Sequence, residues 1–136
     1  MRFHLRQLAL VALVAGAPGL AVAADEWQGQ VGEALGKTGA TTPAGIYRVG
    51  LPRTDLKVTL DGVELKAGFA LGSWLAFEKM GDQGMVMGDL VLTMDEVAPV
   101  MTKLAAGGIE VTALHNHLLR NQPFTMYMQY RGTAIR

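Results

Sequence analysis

The sequence predicts an α+β domain: a mixed sheet built from a β-meander and one β-α-β unit, with helices packed on the sheet. Three observations carry that expectation. Asp61-Gly62 stands between two alternating runs in LKVTLDGVEL, the strongest short hairpin signal in the chain. Two long apolar runs, Phe69 to Phe77 and Met85 to Leu92, are separated by Gly81-Asp82-Gln83-Gly84 and read as a second hairpin. Thr93-Met94-Asp95-Glu96 then has the spacing of a capping box, in which a threonine hydroxyl and a glutamate three residues on each satisfy the other's backbone N–H.

In chain order, residues Asp25 to Lys37 predict a short helix with Trp27, Val31, Ala34 and Leu35 near one face, stopped by Gly36 or Gly39. Gly29 and Gly32 each cost that helix about 1 kcal/mol against alanine, so it must lean on the rest of the domain. KTGATTPAG is a loop, and Ile46 to Gly50 reads as a strand. The Met85 to Leu92 run is apolar on both faces, which suits a central strand covered on both sides. A helix from Met94 to Ala106 follows, ended by Gly107-Gly108. Pro99 conflicts with that span and moves the expected first turn toward Ala98. Ile109 to His115 is the next strand, expected to run parallel to and beside Met85 to Leu92 through a crossover helix. A loop from His117 to Pro123 leads to a last strand, Phe124 to Arg131.

The N-terminus has the order of a secretory signal peptide. Arg2 and Arg6 precede the apolar run Leu8 to Ala15, Pro18-Gly19 breaks it, and Ala21-Val22-Ala23 fits an A-x-A cleavage site. The apolar run is shorter than the ~20 residues of a spanning helix. The expectation is therefore cleavage after Ala23, one domain over 24–136, a periplasmic or secreted location and no membrane span in the mature chain. Cysteine is absent, which excludes a disulfide framework, thiol chemistry and a lipid on an N-terminal cysteine. After cleavage ten basic residues face twelve acidic ones, a balance without the clustered basic surface that nucleic acid requires.

His115 and His117 are the only histidines of residues 24–136. At i, i+2 in an extended chain their rings share a face, and neutral imidazole is a borderline-soft donor, so the pair has the pattern of two ligands of a zinc or copper ion. Asp89, Glu96 and Gln129 are the candidate third ligands by topology, Gln129 being a poor one because a neutral amide donates weakly. The competing reading is structural, with both imidazoles bonded to backbone carbonyls and pinning the loop. Met85/Met87 and Met126/Met128 sit at strand spacing; thioethers suit Cu(I), but methionine is also the flexible filler of apolar cores, and core packing is the favoured reading. Among the carboxylates Asp82, Asp89, Asp95 and Glu96, Asp89 lies within an apolar run where burial would raise its pKa, while Asp95 and Glu96 suit a helix N-terminus. No nucleophile elbow, phosphate loop or dinucleotide fingerprint is present.

From Tyr47 to Gly132 the chain resembles the LppY/LpqO family of exported bacterial proteins. GDLVL (Gly88 to Leu92) is the most specific match, followed by EVAPVMTKL (Glu96 to Leu104), GIEVTALHNHLL (Gly108 to Leu119) and the proline-led strand Pro123 to Met128. The resemblance implies an exported α+β domain with ALHNHLL as its signature, and it supplies no reaction. Relatives commonly carry histidine where this chain has Gln129, and they continue past Gly132 with a further turn and helix, so the resemblance implies a shortened member. The sequence thus predicts an exported binding or accessory module of unknown ligand, sited around ALHNHLL. The alternatives are a zinc-dependent hydrolase-like enzyme in which His115 and His117 hold the metal, and a periplasmic copper-binding protein using them with Met126 or Met128.

Overall fold

The computed structural model describes residues 25–135, so the signal-peptide segment lies outside the described residues. Helix α1 (Glu26–Leu35) ends at Gly36, whose φ of 64° is the left-handed cap that glycine adopts without strain. Strand β1 (Ala40–Thr41) precedes β2 (Tyr47–Pro52), in which alternation buries Tyr47 and Val49. Strands β3 (Val58–Leu60) and β4 (Val63–Leu65) form the expected hairpin. Asp61 and Gly62 both have positive φ, 48° and 83°, as a type I′ turn requires.

Phe69, expected to open a strand, lies instead in α2 (Ala67–Ala70), a single turn, and is 85 % exposed. A short apolar run is equally compatible with a helical turn and a strand, and here the turn delivers Leu71 into the core. Strands β5 (Gly72–Met80) and β6 (Gln83–Thr93) pair through Gly81-Asp82, with positive φ at Gly81, the first central residue of that turn. Helix α3 (Met94–Ala106) starts directly after β6, and the Thr93 N–H donates to Glu96 Oε2 at 2.9 Å to close the capping box. The start therefore lies at Met94 and not near Ala98. The box fixes the first turn ahead of Pro99, and the proline costs one N–H bond on an exposed face.

The remaining strands are β7 (Glu110–His115), β8 (Asn121–Gln122) and β9 (Thr125–Ile135). They form a six-stranded sheet in the order β1-β2-β5-β6-β9-β7 and a three-stranded sheet in the order β4-β3-β8. The α+β class with helices on a sheet is as expected, but the ladder differs from a mixed sheet. β6 and β7 do run in the same direction, yet β9 inserts between them and pairs antiparallel with both, so every pairing is antiparallel. The reason is the length of the β6–β9 ladder, which runs unbroken from Gln83↔Ile135 to Thr93↔Thr125 and outcompetes a shorter parallel pairing of less favourable geometry.

Alternation gives the large sheet two different faces. Phe77, Val86 and Gly132 look toward α1 and the Gly107-Gly108 end of α3, with Trp27 of α1 edge-on to Tyr47 at 5.7 Å between ring centroids. Val91 and Tyr127 look the other way and join Val58 of the small sheet and Leu71 in the buried core, with Leu56, Leu65 and Ala67 packed around them. The small sheet therefore covers one end of this second face and leaves the rest open. Arg53 ties the two parts together: its guanidinium bonds Glu96 and Asp55 carboxylates and the Val91 carbonyl. Arg53 holds the Glu96 carboxyl below its usual range, assisted by the Thr93 N–H. No helix among the described residues is long and apolar enough to cross a membrane.

Two truncations separate the core from its decoration. Leu71→Ala, at a fully buried position, is expected to lower stability by about 2 to 5 kcal/mol, whereas Phe69→Ala, at an exposed one, is expected to change it by less than about 0.5 kcal/mol. Urea denaturation of both variants measures the contrast. Because the Glu96 pKa is depressed in the folded state, its stabilisation is present above the ordinary carboxylate range and lost as pH falls through the lowered value. Glu96→Gln should accordingly be less stable than the parent at pH 7, with the gap closing toward pH 3.

Candidate functional site

β7 ends at His115, directly across from Tyr127 of β9, and the chain turns there so that His117 folds back over the sheet. The His117 ring stacks on Tyr127 with centroids 3.6 Å apart and planes 13° from parallel. His115 lies 4.9 Å from His117 between centroids, and the two Nε2 atoms stand 2.9 Å apart. Without a bound ion this contact needs one Nε2 to carry a hydrogen and the other to be bare, so the rings take different tautomers. The i, i+2 spacing thus brings the two Nε2 atoms into direct contact.

Asp89 of β6 lies across the ladder from Gln129, on the same face as Tyr127 and the imidazoles. It is 7 % exposed, and its Oδ1 has no hydrogen-bond partner. Burial pushes its carboxyl up, and the nearby His117 and His115 offset part of that rise. A buried acceptor left without a donor is costly, of the order of 1 to 3 kcal/mol, and an open polar face supplies a place for an incoming donor. Among the described residues no three His, Asp or Glu side chains close in tightly enough to enclose an ion, so Asp89 stands next to the imidazole pair and not within a completed cage.

A family model described as Domain of Unknown Function (DUF1259) matches residues 29–135. The chain belongs to this family. No curated protein and no solved structure matches.

Within this DUF1259 domain the other candidates from sequence separate clearly. Gln129 shares the site's face but is exposed. Glu96 is committed to Arg53 and to the start of α3. Asp82 occupies the β5–β6 turn and Asp95 the exposed first turn of α3. Met126 and Met128 alternate with Tyr127 and Gln129, which puts them on the opposite face, with Met128 fully buried. The copper reading that joined them to the histidines is therefore corrected: here methionine fills the core. Met85 and Met87 alternate in step with Asp89, although Met87 pairs with Arg131, two ladder rungs beyond Gln129.

Sequence reasoning missed Tyr127, which supports His117 from below and whose hydroxyl donates to the Ala70 carbonyl. Period-two counting back from Gln129 would have put it on the site's face, but nothing in the sequence reveals the stacking. The loop that carries His117 is pinned beyond it. Asn121, fully buried, donates to Thr125 Oγ1 and the Pro123 carbonyl, β8 pairs with β3, and Arg120 bridges to Asp61 at 2.7 Å.

The raised Asp89 carboxyl has a sign that can be tested. For an acid raised on folding, the native state is favoured most below the ordinary carboxylate range, and stability is lost as pH rises through the raised value. Asp89→Asn should therefore be more stable than the parent at pH 7 and indistinguishable from it near pH 3. Chemical denaturation at the two pH values reads the difference, and equal gaps at both would show that Asp89 carries no burial penalty.

Proposed function

We propose that this domain is an exported metal-binding module whose histidine pair holds a divalent transition ion of the zinc or copper(II) class. The observation that carries the reading is the 2.9 Å separation of the Nε2 atoms of His115 and His117. With metal–imidazole bonds of about 2.0 to 2.1 Å, two ligands at a right angle sit about 2.9 Å apart, and two at a tetrahedral angle about 3.4 Å. The pair is thus already set for adjacent positions on one ion, and a small opening suits tetrahedral zinc. Stacking on Tyr127 fixes the His117 ring before any ion arrives, which reduces the ordering cost of binding. Asp89, the neighbouring acceptor, favours a cation at this point and a hard-to-borderline ion over Cu(I).

Two imidazoles leave coordination positions open, which suits a carrier or accessory role in which the ion meets further ligands. Within its family we read the chain as LppY/LpqO-like on GDLVL, EVAPVMTKL and ALHNHLL, and as exported through its N-terminal segment. Expression in a bacterial host followed by intact-mass measurement should return a mature chain beginning at Ala24; a retained full-length product would count against export.

Metal binding to the native state raises the unfolding temperature by mass action. At a zinc concentration a hundred times the dissociation constant the gain is about 2.7 kcal/mol, or on the order of 10 °C for a domain of this size. His117→Ala should abolish that shift while changing metal-free stability little, because the residue is exposed. If the histidines are purely structural, neither zinc nor copper will shift the parent. Gln129→His, adding an imidazole on the same face, should tighten binding, and isothermal titration of both proteins compares the affinities.

A further inference from the structure

On the face of the large sheet opposite the imidazoles, a cleft lies between α1 and the Gly107-Gly108 end of α3. Its volume is about 410 Å³, with Trp27 and Val31 of α1 on one side and Phe77, Val86 and Ile109 on the other. All five are only partly buried, and α1 buries none of its apolar residues completely. Two apolar walls packed directly on each other would leave no such space, because protein interiors close to the density of organic crystals. Toward β9 the Ile109 side chain packs onto the bare backbone of Gly132, in the place that a Cβ would take.

Toward the β5–β6 turn the lining becomes polar. Lys79 is two residues on from Phe77 and so shares its face, whereas Glu78 at the same rim alternates to the other. Gly84 stands directly across from Lys79 and offers no side chain, and a Cβ added there would meet open space. Lys79 forms no ion pair among the described residues. A cation at the rim of an apolar trough, with Gln30 and Gln83 beside it, is complementary to a carboxylate that carries a hydrocarbon tail.

We infer that this cleft binds a free fatty acid, its chain between α1 and the sheet and its carboxylate on Lys79. The volume sets the size: at about 30 Å³ for a water-sized group there is room for about a dozen non-hydrogen atoms, as in a ten-carbon acid. The chain supplies most of the affinity, because an exposed lysine holds its partner weakly and each buried methylene adds to the apolar contact. The site is independent of the metal reading, since the histidines lie on the other face of the sheet.

Trp27 reports binding directly, because Trp74, the other tryptophan, points to the opposite face and can be replaced by phenylalanine. In the Trp74→Phe protein at pH 7, decanoate should shift Trp27 emission to the blue and saturate. Octanoate should bind about fifteenfold more weakly, at about fourfold per methylene. Decylamine, of equal length and opposite charge, should bind at least about threefold more weakly than decanoate, and Lys79→Glu should reverse that order. Gly84→Leu, which fills the cleft from the sheet side, should abolish binding; melting curves verify that the variants fold, and calorimetry on the parent repeats the series without the tryptophan change. An absent or unsaturable response, affinity indifferent to chain length, equal binding of decanoate and decylamine, or Gly84→Leu binding as tightly as the parent would each overturn the inference. So would Trp27 emission that shifts with protein concentration alone, the sign of a second copy in the cleft, or emission already blue and indifferent to ligand, the sign of N-terminal residues lying there. None of these outcomes bears on zinc binding.

Discussion

The ring of Tyr127 is the element on which both the core and the site depend. One part of it is buried with Val58, Leu71 and Val91, its hydroxyl ties the turn before β5 through the Ala70 carbonyl, and its remaining face carries the His117 imidazole. Burial pushes its hydroxyl pKa upward, so it stays a neutral donor across the working range of pH. Aromatic rings combine a large apolar area with a polar tip, and here the combination lets one side chain be a wall of the core on one side and the floor of a polar site on the other. The His117 imidazole is therefore seated directly on a ring of the core.

The local signals in the sequence translate directly into structure. Asp61-Gly62 makes the expected turn, Gly36 stops α1, and Thr93 with Glu96 closes the expected capping box, which opens α3 at Met94 in spite of Pro99. Each depends on backbone groups within a few residues, where φ preferences and caps decide the outcome. Strand neighbours are another matter. Met85 to Leu92 and Ile109 to His115 have the pattern of adjacent parallel strands, and the sequence between them supplies the crossover helix. The segment that separates them in space comes later in the chain, and its apolar alternation is equally compatible with an edge or a central place.

The site was legible in part. Strand periodicity puts His115 and His117 on one face, and the apolar run around Asp89 marks it for burial; both hold. Glu96 was misplaced because Arg53, forty-three residues away in the chain, binds it with a bidentate guanidinium that no local pattern announces. Met126 and Met128 pack away from the histidines, as the core-packing reading of these methionines expects, because they alternate with Tyr127 and Gln129 along β9.

The insertion of β9 also fixes the order in which this chain can complete its fold. β9 lies between β6 and β7, so β6 lacks its second neighbour and β7 any neighbour in the sheet until β9 has docked, and the wall beneath His117 forms with it. Contacts between segments so far apart in the chain form late and slowly, after the entropy of closing long loops has been overcome. Until β9 docks, the small sheet has all of its strands, while the large sheet lacks the one that joins β6 to β7. Any loosening of β9 from its two ladders would therefore open the large sheet and withdraw the ring beneath His117 in one event.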